Sequence, residues 1–345
     1  MLRNLVKLAL VVIVSIAAPP AMARAASPSL WVMSYNIRYD NPDDRPDWRA
    51  RRGPMARQIA FLRPDILGVQ EALASQVADL SKALPDYVHY GVGRDDGDKR
   101  GESTTIFYRA ARFERLLAQT QWCSPTPDRP GKAYDAALPR TYTRLVLRDR
   151  ASGVLLDVRN AHFDHVGAES RRLCALQIRD QAPWPGARLI VLGDFNSMPA
   201  EPPYVALTAP DAPLKDARLS SPVVFGPAGT FNNFSPAVAP SGPIDHIFVD
   251  RALAVPRFAT LTDTDNGLAI SDHFPVIAEI ALPSAVKRKR AVARPTDKRQ
   301  SLPPRVQGRQ QASGEFDREA GARLARQPPR PTRSSCGPTG RPCAR

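Results

Sequence analysis

Short strand-like runs alternate with helical patterns from Leu30 to Leu282, and this alternation limits the possible folds more than any other feature of the sequence. Apolar residues spaced by three and four, as at Met55, Ile59 and Leu62, predict helices between the strands. Runs such as DILGVQE, TYTRLVLRD and RLIVLGD predict buried strands. The alternation therefore predicts an α/β fold rather than an all-β one.

Polar side chains stand where the predicted strands end. Asp and Asn favour turns because they hydrogen-bond locally, so any one of these residues could be a turn residue or a cap. The ends of strands are also where α/β enzymes gather their reactive groups. A shared site explains the whole set better than separate turns do: Asn36, Glu71, His162, Asp194, Asn196, Asp245, Asp272 and His273.

The N-terminus has the three-part layout of a secretory signal. Arg3 and Lys7 precede an apolar run from Leu8 to Ala18, and small residues follow it. This run is shorter than the roughly 20 residues that a helix needs to cross a bilayer. We therefore expect residues 1–25 to be a signal peptide and the protein to be periplasmic or secreted, with no later transmembrane segment.

The C-terminal segment differs in composition from the rest of the chain. Residues 286–345 hold 16 Lys and Arg against 4 Asp and Glu, with eight prolines. Such a segment has too little apolar surface to offset the entropy of ordering, so we expect a disordered basic tail. The whole chain has a net charge of +14, whereas the expected domain, 26–285, holds 29 basic and 30 acidic residues. The tail could contact nucleic acid or anionic surfaces.

The four cysteines leave two interpretations open. An exported chain meets oxidising conditions, in which Cys123 could pair with Cys174, and Cys336 with Cys343. Alternatively, Cys123 and Cys174 are small buried apolar residues. No spacing of cysteine and histidine suggests a zinc site.

Six motifs occur in order along the chain: SYNIRYD, ILGVQEAL, NAHFDHVG, VLGDFNSMP, PIDHIFVD and SDHFPV. On these motifs, residues 30–282 resemble the endonuclease/exonuclease/phosphatase superfamily of metal-dependent phosphoesterases. GDFN and SDHFP in this order are specific, whereas QE alone would be weak. RYDNPDD and AYDAALPR are similar to segments of an exported bacterial subgroup. The resemblance implies a four-layer α/β sandwich of two packed, mainly antiparallel or mixed β-sheets flanked by α-helices.

The resemblance also implies a divalent metal ion. Glu71, Asn36 and Asp272 are the expected ligands, and the expected ion is Mg²⁺ or Mn²⁺ because these hard cations prefer oxygen donors and accept substrate oxygens. Cleavage of a phosphate ester needs the charge that builds on the phosphoryl oxygens to be neutralised, and it needs a water positioned in line with the leaving oxygen.

The remaining strand-end residues receive catalytic roles from the resemblance. Asp194 is the expected general base for the attacking water, and Asn196 is its partner and a phosphate contact. His162 and His273 would donate hydrogen bonds to phosphate oxygens if an acceptor on the other ring nitrogen sets the tautomer. Asp245 is the expected acceptor, with His273 as its partner.

Three nearby positions leave questions open. Related sequences usually have Thr before the first histidine, whereas Ala161 stands here, so one supporting hydrogen bond is expected to be lost or replaced. His165 could line the pocket or cap the helix that follows. Arg140 could face phosphate, since guanidinium binds phosphate through paired donors, or it could form an ordinary surface salt bridge.

The charge of the domain bears on the substrate. The loop at 91–103 should lie over the edge of the active site, but its basic and acidic residues nearly cancel. Nucleases that bind a duplex need an excess of Lys and Arg on one face, which this near-neutral domain does not offer. We therefore expect a small or single-stranded phosphorylated substrate. The alternatives are a secreted nuclease acting on duplex DNA or RNA and a non-catalytic binding protein on the same fold.

Overall fold

The computed structural model describes residues 28–235 and 242–283. The predicted signal peptide at 1–25 and basic tail at 286–345 lie outside the described residues, as do Cys336 and Cys343. In the part of the chain that is described, no helix is both long enough and apolar enough to cross a membrane.

Fifteen strands and five helices make up the described chain. The strands are β1 (Ser29–Asn36), β2 (Ile66–Gln70), β3 (Tyr87–Tyr90), β4 (Ile106–Arg109), β5 (Phe113–Trp122), β6 (Thr141–Asp149), β7 (Leu155–His162), β8 (Arg188–Asp194), β9 (Leu214–Asp216), β10 (Val223–Phe225), β11 (Asp245–Asp250), β12 (Ala254–Thr260), β13 (Thr264–Asp265), β14 (Leu268–Ala269) and β15 (Val276–Ala281). The helices are α1 (Trp48–Leu62), α2 (Ala74–Ala83), α3 (Ala168–Asp180), α4 (Pro202–Thr208) and α5 (Ala217–Ser220).

The strands form two large mixed sheets and a small ribbon. The first sheet has the order β10-β12-β15-β1-β2-β4-β3, the second has the order β5-β6-β7-β8-β11-β9, and β13 pairs with β14. β1 runs parallel to β2, and β7 runs parallel to β8, whereas most other neighbours are antiparallel. The predicted α/β sandwich of two mainly antiparallel or mixed sheets is confirmed.

Three apolar clusters separate four layers. The central cluster packs the two sheets face to face, with Val32 of β1 and Ile190 of β8 both fully buried in it. A second cluster packs α1 and α2 on the first sheet, and a third packs α3 and α4 on the second. β1 and β8 are covered on both faces, which explains why they read as continuous apolar runs rather than alternating ones.

Buried polar side chains cross the central layer below the ends of β1 and β2. Nε2 of Gln70 donates to Oδ1 of Asn160 at 2.7 Å, and Nδ2 of Asn160 donates to O of Val69 at 2.8 Å. A Cβ at Gly68 would lie 2.7 Å from the Asn160 side chain, so glycine is needed for this contact. Since a buried amide left unpaired is costly, these bonds fix the register of one sheet against the other.

Cys123 and Cys174 form a disulfide, which settles the question that the sequence left open for this pair. Both residues are buried, as the alternative interpretation of them as small apolar residues expected, but they are bonded to each other rather than free. The disulfide ties the segment after β5 to the middle of α3.

Candidate active site

Strand register brings three of the predicted residues into one row. His162 at the end of β7 pairs with Asp194 at the end of β8, and Asp194 pairs in turn with Asp245 at the start of β11. Paired residues on neighbouring strands present their side chains on the same face of a sheet. All three are buried, and the row faces the end of β1 in the other sheet.

Asn36 joins the two sheets at this point. Its Nδ2 donates to Oδ2 of Asp194 at 2.9 Å and to Oε1 of Glu71 at 3.1 Å, and it lies 3.4 Å from Nε2 of His273. Its Oδ1 accepts from the backbone N of Arg38 at 3.0 Å. In this orientation the amide acts on its neighbours as a donor, so its predicted role as a metal ligand depends on a rotation of the side chain.

Three residues of the site have left-handed backbone conformations. The φ angles are +55° at Arg38, +61° at Glu71 and +43° at Asn196, in a region that side chains other than glycine rarely adopt. Such conformations cost about 1–3 kcal/mol each and occur at functional sites where the surrounding structure imposes them. Each one follows the end of a strand and turns the chain sharply there.

His273 and Asp245 form the predicted pair. Nδ1 of His273 lies 2.8 Å from Oδ2 of Asp245, and both side chains are buried. Burial alone would lower the pKa of His273, but the charge and the hydrogen bond of Asp245 outweigh it and raise that pKa well above its ordinary value. His273 is therefore held as a proton donor whose Nε2 faces the site.

Asp194 lies between the two histidines. Its Oδ2 is 3.6 Å from Nε2 of His162 and 3.9 Å from Nε2 of His273, while its Oδ1 accepts from the backbone N of Asn196 at 2.9 Å. Burial, followed by the charge of Asp245, raises the pKa of Asp194 to about 7. A carboxylate with such a pKa is suited to accept a proton near neutral pH.

His162 and His165 share Arg140. Nη1 of Arg140 lies 3.2 Å from each ring nitrogen of His162, Nη2 lies 2.8 Å from Nδ1 of His165, and Nε donates to Asp164 at 3.1 Å. Arg140 is buried, so it is not a surface salt bridge. Burial, and then the charges of Arg140 and Arg94, hold the pKa of His162 well below its ordinary value. The two site histidines thus have pKa values displaced in opposite directions.

His165 lines the cavity and does not cap α3. The N-terminus of that helix is capped by Asp135, whose carboxylate accepts from the backbone N of Ser170 at 2.7 Å and of Glu169 at 3.2 Å. Asp135 belongs to the AYDAALPR segment, which also supplies Arg140.

Ala161 does not face the site. Its side chain packs in the cluster beneath α3, because alternate residues of β7 point to opposite faces of the sheet. The hydrogen bond expected from Thr at this position would therefore lie on the helix side of β7, away from the catalytic groups.

Glu71 and Asp272 converge on Arg38. Nη1 of Arg38 is 4.0 Å from Oε2 of Glu71, and its Nε is 3.8 Å from Oδ2 of Asp272 and 2.9 Å from Oδ2 of Asp44. Burial raises the pKa of Asp272, and the negative charge of Glu71 adds to this shift. Carboxylate oxygens are the hard donors that divalent cations such as Mg²⁺ or Mn²⁺ prefer, so Glu71 and Asp272 are chemically able to hold such an ion.

A second group of possible ligands overlaps this one. Ligating atoms of Asp194, Asp245 and His273 all lie within 4.8 Å of one another. Two members of this group, His273 and Asp245, also bind each other at 2.8 Å.

Several residues of the site were not found by sequence reasoning. Arg94 and Glu102 of the loop at 91–103 form an ion pair at 2.6 Å on the cavity wall. Tyr39, Phe231 and Phe234 supply aromatic surface to the same wall. The loop was expected at the edge of the site. Because its basic and acidic residues nearly cancel, its composition did not indicate that Arg94 and Glu102 face the cavity.

All of these groups open into one cavity of about 640 Å³. Eight of the ten predicted site residues line this cavity: Glu71, Arg140, His162, His165, Asp194, Asn196, Asp272 and His273. The two others, Asn36 and Asp245, lie behind it and hydrogen-bond to residues that line it.

An Asp, an Asn and two His lie together at one end of the two packed sheets, an arrangement suited to the hydrolysis of phosphoester bonds. The chain belongs to the Endonuclease/Exonuclease/phosphatase family, whose model matches residues 33–273. This confirms the resemblance drawn from the six motifs, and members of this family are hydrolases that act on phosphoester bonds.

Solved structures agree with this assignment. An endonuclease/exonuclease/phosphatase family protein from Bacteroides thetaiotaomicron is 35% identical, covers 74% of this chain and 98% of its own, and has a TM-score of 0.71. A mannosyl-6-phosphatase from Bacteroides thetaiotaomicron VPI-5482 is 34% identical, with coverages of 73% and 100% and a TM-score of 0.70. D. rerio TDP2 complexed with single strand DNA product is 19% identical, covers 73% and 98%, and at a TM-score of 0.56 shares the fold. No curated protein matched the chain.

Proposed function

We propose that the protein is a divalent-metal-dependent phosphatase acting on a small phosphorylated molecule, by attack of a water that Asp194 deprotonates. The observation that carries this proposal is the cavity of about 640 Å³, in which Asp194, Asn196, His162 and His273 come together. A cavity of this size encloses a small ligand, and pockets of about 300–1,000 Å³ are typical for such ligands. A duplex would need an extended basic face instead.

The charge balance of the cavity supports a metal requirement. Its three arginines are each paired with a carboxylate: Arg38 with Asp44 at 2.9 Å, Arg94 with Glu102 at 2.6 Å and Arg140 with Asp164 at 3.1 Å. Glu71 and Asp272 share Arg38 with Asp44 only at the longer distances of 4.0 and 3.8 Å, and the carboxylates that line the cavity outnumber its arginines. A phosphate would be repelled by these groups unless a divalent cation neutralised them, and we propose Mg²⁺ or Mn²⁺ held by Glu71 and Asp272, with Asn36 beside them.

The chain's own residues supply the remaining functions. Asp194 holds and deprotonates the water, and Asn196, which lines the cavity, is anchored by its Nδ2, which donates to O of Phe163 at 3.0 Å. His273 donates from Nε2 to a phosphoryl or leaving oxygen, with Asp245 fixing its tautomer. The bound cation would neutralise charge on the phosphoryl oxygens. The 34% identity to a protein described as a mannosyl-6-phosphatase also supports a phosphomonoester substrate.

Turnover of chosen esters tests the proposal. We expect the chain to hydrolyse p-nitrophenyl phosphate and mannose 6-phosphate with Mg²⁺, and to lose activity in EDTA or as Asp194→Ala. Bis-(p-nitrophenyl) phosphate and duplex DNA complete the panel. Faster cleavage of duplex DNA than of any small ester would overturn the proposal in favour of a nuclease, and no metal-dependent turnover of any substrate would overturn it altogether.

We also propose that the protein is exported. The signal-like layout of residues 1–25 and the disulfide between Cys123 and Cys174 support this, since disulfides persist in oxidising compartments. Expression of the full chain in a Gram-negative host should give a product in the periplasm or medium whose first residue follows Ala23 or Ala25. A full-length product confined to the cytoplasm would contradict export.

A further inference from the structure

The pair formed by Arg94 and Glu102 lies on the cavity wall and contacts no reacting group in the proposed hydrolysis, although the charge of Arg94 helps to lower the pKa of His162. Nη1 of Arg94 donates to Oε2 of Glu102 at 2.6 Å, and Nη2 donates to Oε1 at 2.8 Å. The side chains are 10% and 15% exposed. Two parallel hydrogen bonds of this kind hold a guanidinium and a carboxylate in one defined geometry.

The loop is built to keep the pair in place. The two sides of the loop are joined by a hydrogen bond of 2.9 Å from N of Arg94 to O of Glu102, and Nε1 of the buried Trp122 donates to O of Arg94 at 2.8 Å. A Cβ at Gly93 would lie 2.1 Å from O of Arg100, so the loop closes on itself where only glycine fits. The fold therefore fixes the pair, which needs no substrate to order it.

The pair retains hydrogen-bonding capacity. Nη1 and Nη2 of Arg94 each carry a second N–H besides the one that binds Glu102. The carboxylate of Glu102 has lone pairs left after binding Arg94. A neutral hydroxyl group can use this capacity, because it donates to the carboxylate and accepts from the guanidinium. A second phosphate on the substrate would instead meet the negative charges of Glu102 and Glu71, which line the same cavity.

Aromatic side chains complete the surroundings. Phe231 is 43% exposed at the cavity, with its ring 5.1 Å from that of His273, and Phe234 and Tyr39 also line it. A fixed polar pair together with exposed aromatic faces suits a molecule that has hydroxyl groups on its edge and C–H groups on its face.

We propose that Arg94 and Glu102 determine specificity by binding a hydroxyl group of the alcohol part of the substrate, a monophosphorylated polyol such as a sugar. This inference rests on the proposed function and adds to it the residues that recognise the leaving alcohol. The pair would therefore favour sugar phosphates over aryl phosphates, which carry no hydroxyl groups for Arg94 and Glu102 to bind.

Steady-state kinetics of Glu102→Gln on two substrates test this. We expect kcat/KM for mannose 6-phosphate to fall at least tenfold more than kcat/KM for p-nitrophenyl phosphate. Arg94→Lys keeps the charge but not the paired donors, and it should shift the ratio in the same direction. Analogues of the sugar phosphate that each lack one hydroxyl group identify the contact. For one of them, kcat/KM of the wild type should be at least tenfold lower than for the parent sugar phosphate. For Glu102→Gln the same analogue should lower kcat/KM less than twofold, because the hydroxyl and Glu102 belong to one contact.

The matched control lies on the same loop. Asp96 pairs with Arg100 at 3.1 Å, and this arginine is 78% exposed, so Asp96→Asn should leave the ratio within twofold of the wild type. Circular dichroism must show all variants folded. Equal losses on both substrates in Glu102→Gln would overturn the inference and leave the proposed function intact, indicating that Glu102 instead supports His162, 3.9 Å away. No wild-type turnover of any phosphomonoester would overturn both.

Discussion

Nδ1 of His273 and Oδ2 of Asp245 lie 2.8 Å apart, although 28 residues separate them in the chain. The contact joins the first sheet to the second at the cavity, since Asp245 begins β11 and His273 precedes β15. It commits one ring nitrogen to the carboxylate and leaves the other, Nε2, to face Asp194 at 3.9 Å. The proton-donating role proposed for His273 therefore depends on a residue that does not line the cavity.

Asp245→Asn tests this dependence. Removing the carboxylate charge lowers the pKa of His273 and allows the wrong tautomer, so kcat should fall by roughly 10²- to 10⁴-fold, the usual contribution of a general acid or base. The measurement is kcat for p-nitrophenyl phosphate at saturating Mg²⁺. Asp250→Asn at the far end of the same strand is the control and should retain activity. A kcat within threefold of the wild type for Asp245→Asn would show that the pair is not needed.

Metal removal is the second prediction. Dialysis against EDTA should abolish turnover, and Mg²⁺ or Mn²⁺ should restore it. Glu71→Gln should raise the Mg²⁺ concentration needed for half-maximal activity and reduce the rise in Tm that the ion gives the wild type, because ligand binding stabilises the folded state by mass action. Glu114→Gln, at a residue 42% exposed, is the matched control. Equal Mg²⁺ responses of Glu71→Gln and the wild type would remove Glu71 from the ligand set.

The strands buried on both faces were the most predictable elements. RLIVLGD coincides with β8, whose apolar run is typical of a strand covered on both faces, and TYTRLVLRD coincides with β6, whose β-branched and aromatic residues favour a strand. β5 and β12 were not predicted. β5 is an edge strand of the second sheet with half-exposed polar residues along it, and β12 contains Pro256, which is atypical of a strand interior.

Site residues at the ends of strands could be predicted from the sequence, whereas those on loops were harder to predict. His162, Asp194 and Asp245 converge because register aligns the ends of β7, β8 and β11. Glu102 reaches the cavity through a loop whose shape depends on Gly93 and on contacts with distant residues. Local sequence carries no signal for such contacts, and the same holds for the capping of α3 by a residue 35 positions away from Ser170.

Arg51 provides a test of stability. Its side chain is buried and donates to O of Ile37 at 2.7 Å, O of Pro46 at 3.1 Å and O of Arg38 at 3.3 Å. Arg51→Met would leave several buried carbonyl groups unpaired, and each costs about 1–3 kcal/mol, so the free energy of unfolding should fall by roughly 3 kcal/mol or more.

Urea denaturation measures this change. Arg52→Met is the control, since its side chain is 49% exposed on the same helix and pairs with Asp79 at 3.1 Å. Such exposed pairs contribute about 0–1 kcal/mol. Equal effects of the two substitutions would mean that the carbonyl groups find other partners when Arg51 is lost.

Asp157 makes stability depend on acid pH. Burial alone would raise its pKa, but hydrogen bonds and charge from Arg144 and Arg159 outweigh burial and hold that pKa below its ordinary value. A carboxylate with a lowered folded-state pKa contributes stability above its unfolded-state pKa of about 3.9 and loses it as the pH falls through the folded value.

Asp157→Asn should therefore be less stable than the wild type at pH 7, and this difference should shrink as the pH falls below about 4. Free energies of unfolding from urea curves at several pH values give the comparison. Asp180→Asn is the control, because its carboxylate is 61% exposed and should show no such trend. A difference that stays constant down to pH 3 would show that the charge of Asp157 is not what the arginines stabilise.

The disulfide between Cys123 and Cys174 should contribute to stability through the unfolded chain. It closes a loop with a sequence separation of 51 residues, for which the chain-entropy model gives about 4 kcal/mol and typical measured values are about 2–4 kcal/mol. Dithiothreitol should lower the urea midpoint of the wild type, whereas the double variant Cys123→Ala, Cys174→Ala should start at the lower midpoint and not respond. Because Nε2 of Gln177 in α3 donates to O of Trp122 at 2.9 Å beside the disulfide, the reduced protein should keep its fold and its circular dichroism spectrum at low urea. A wild-type midpoint that is unchanged by dithiothreitol, with both thiols then reactive to alkylation, would show that the cross-link adds nothing to the free energy of unfolding.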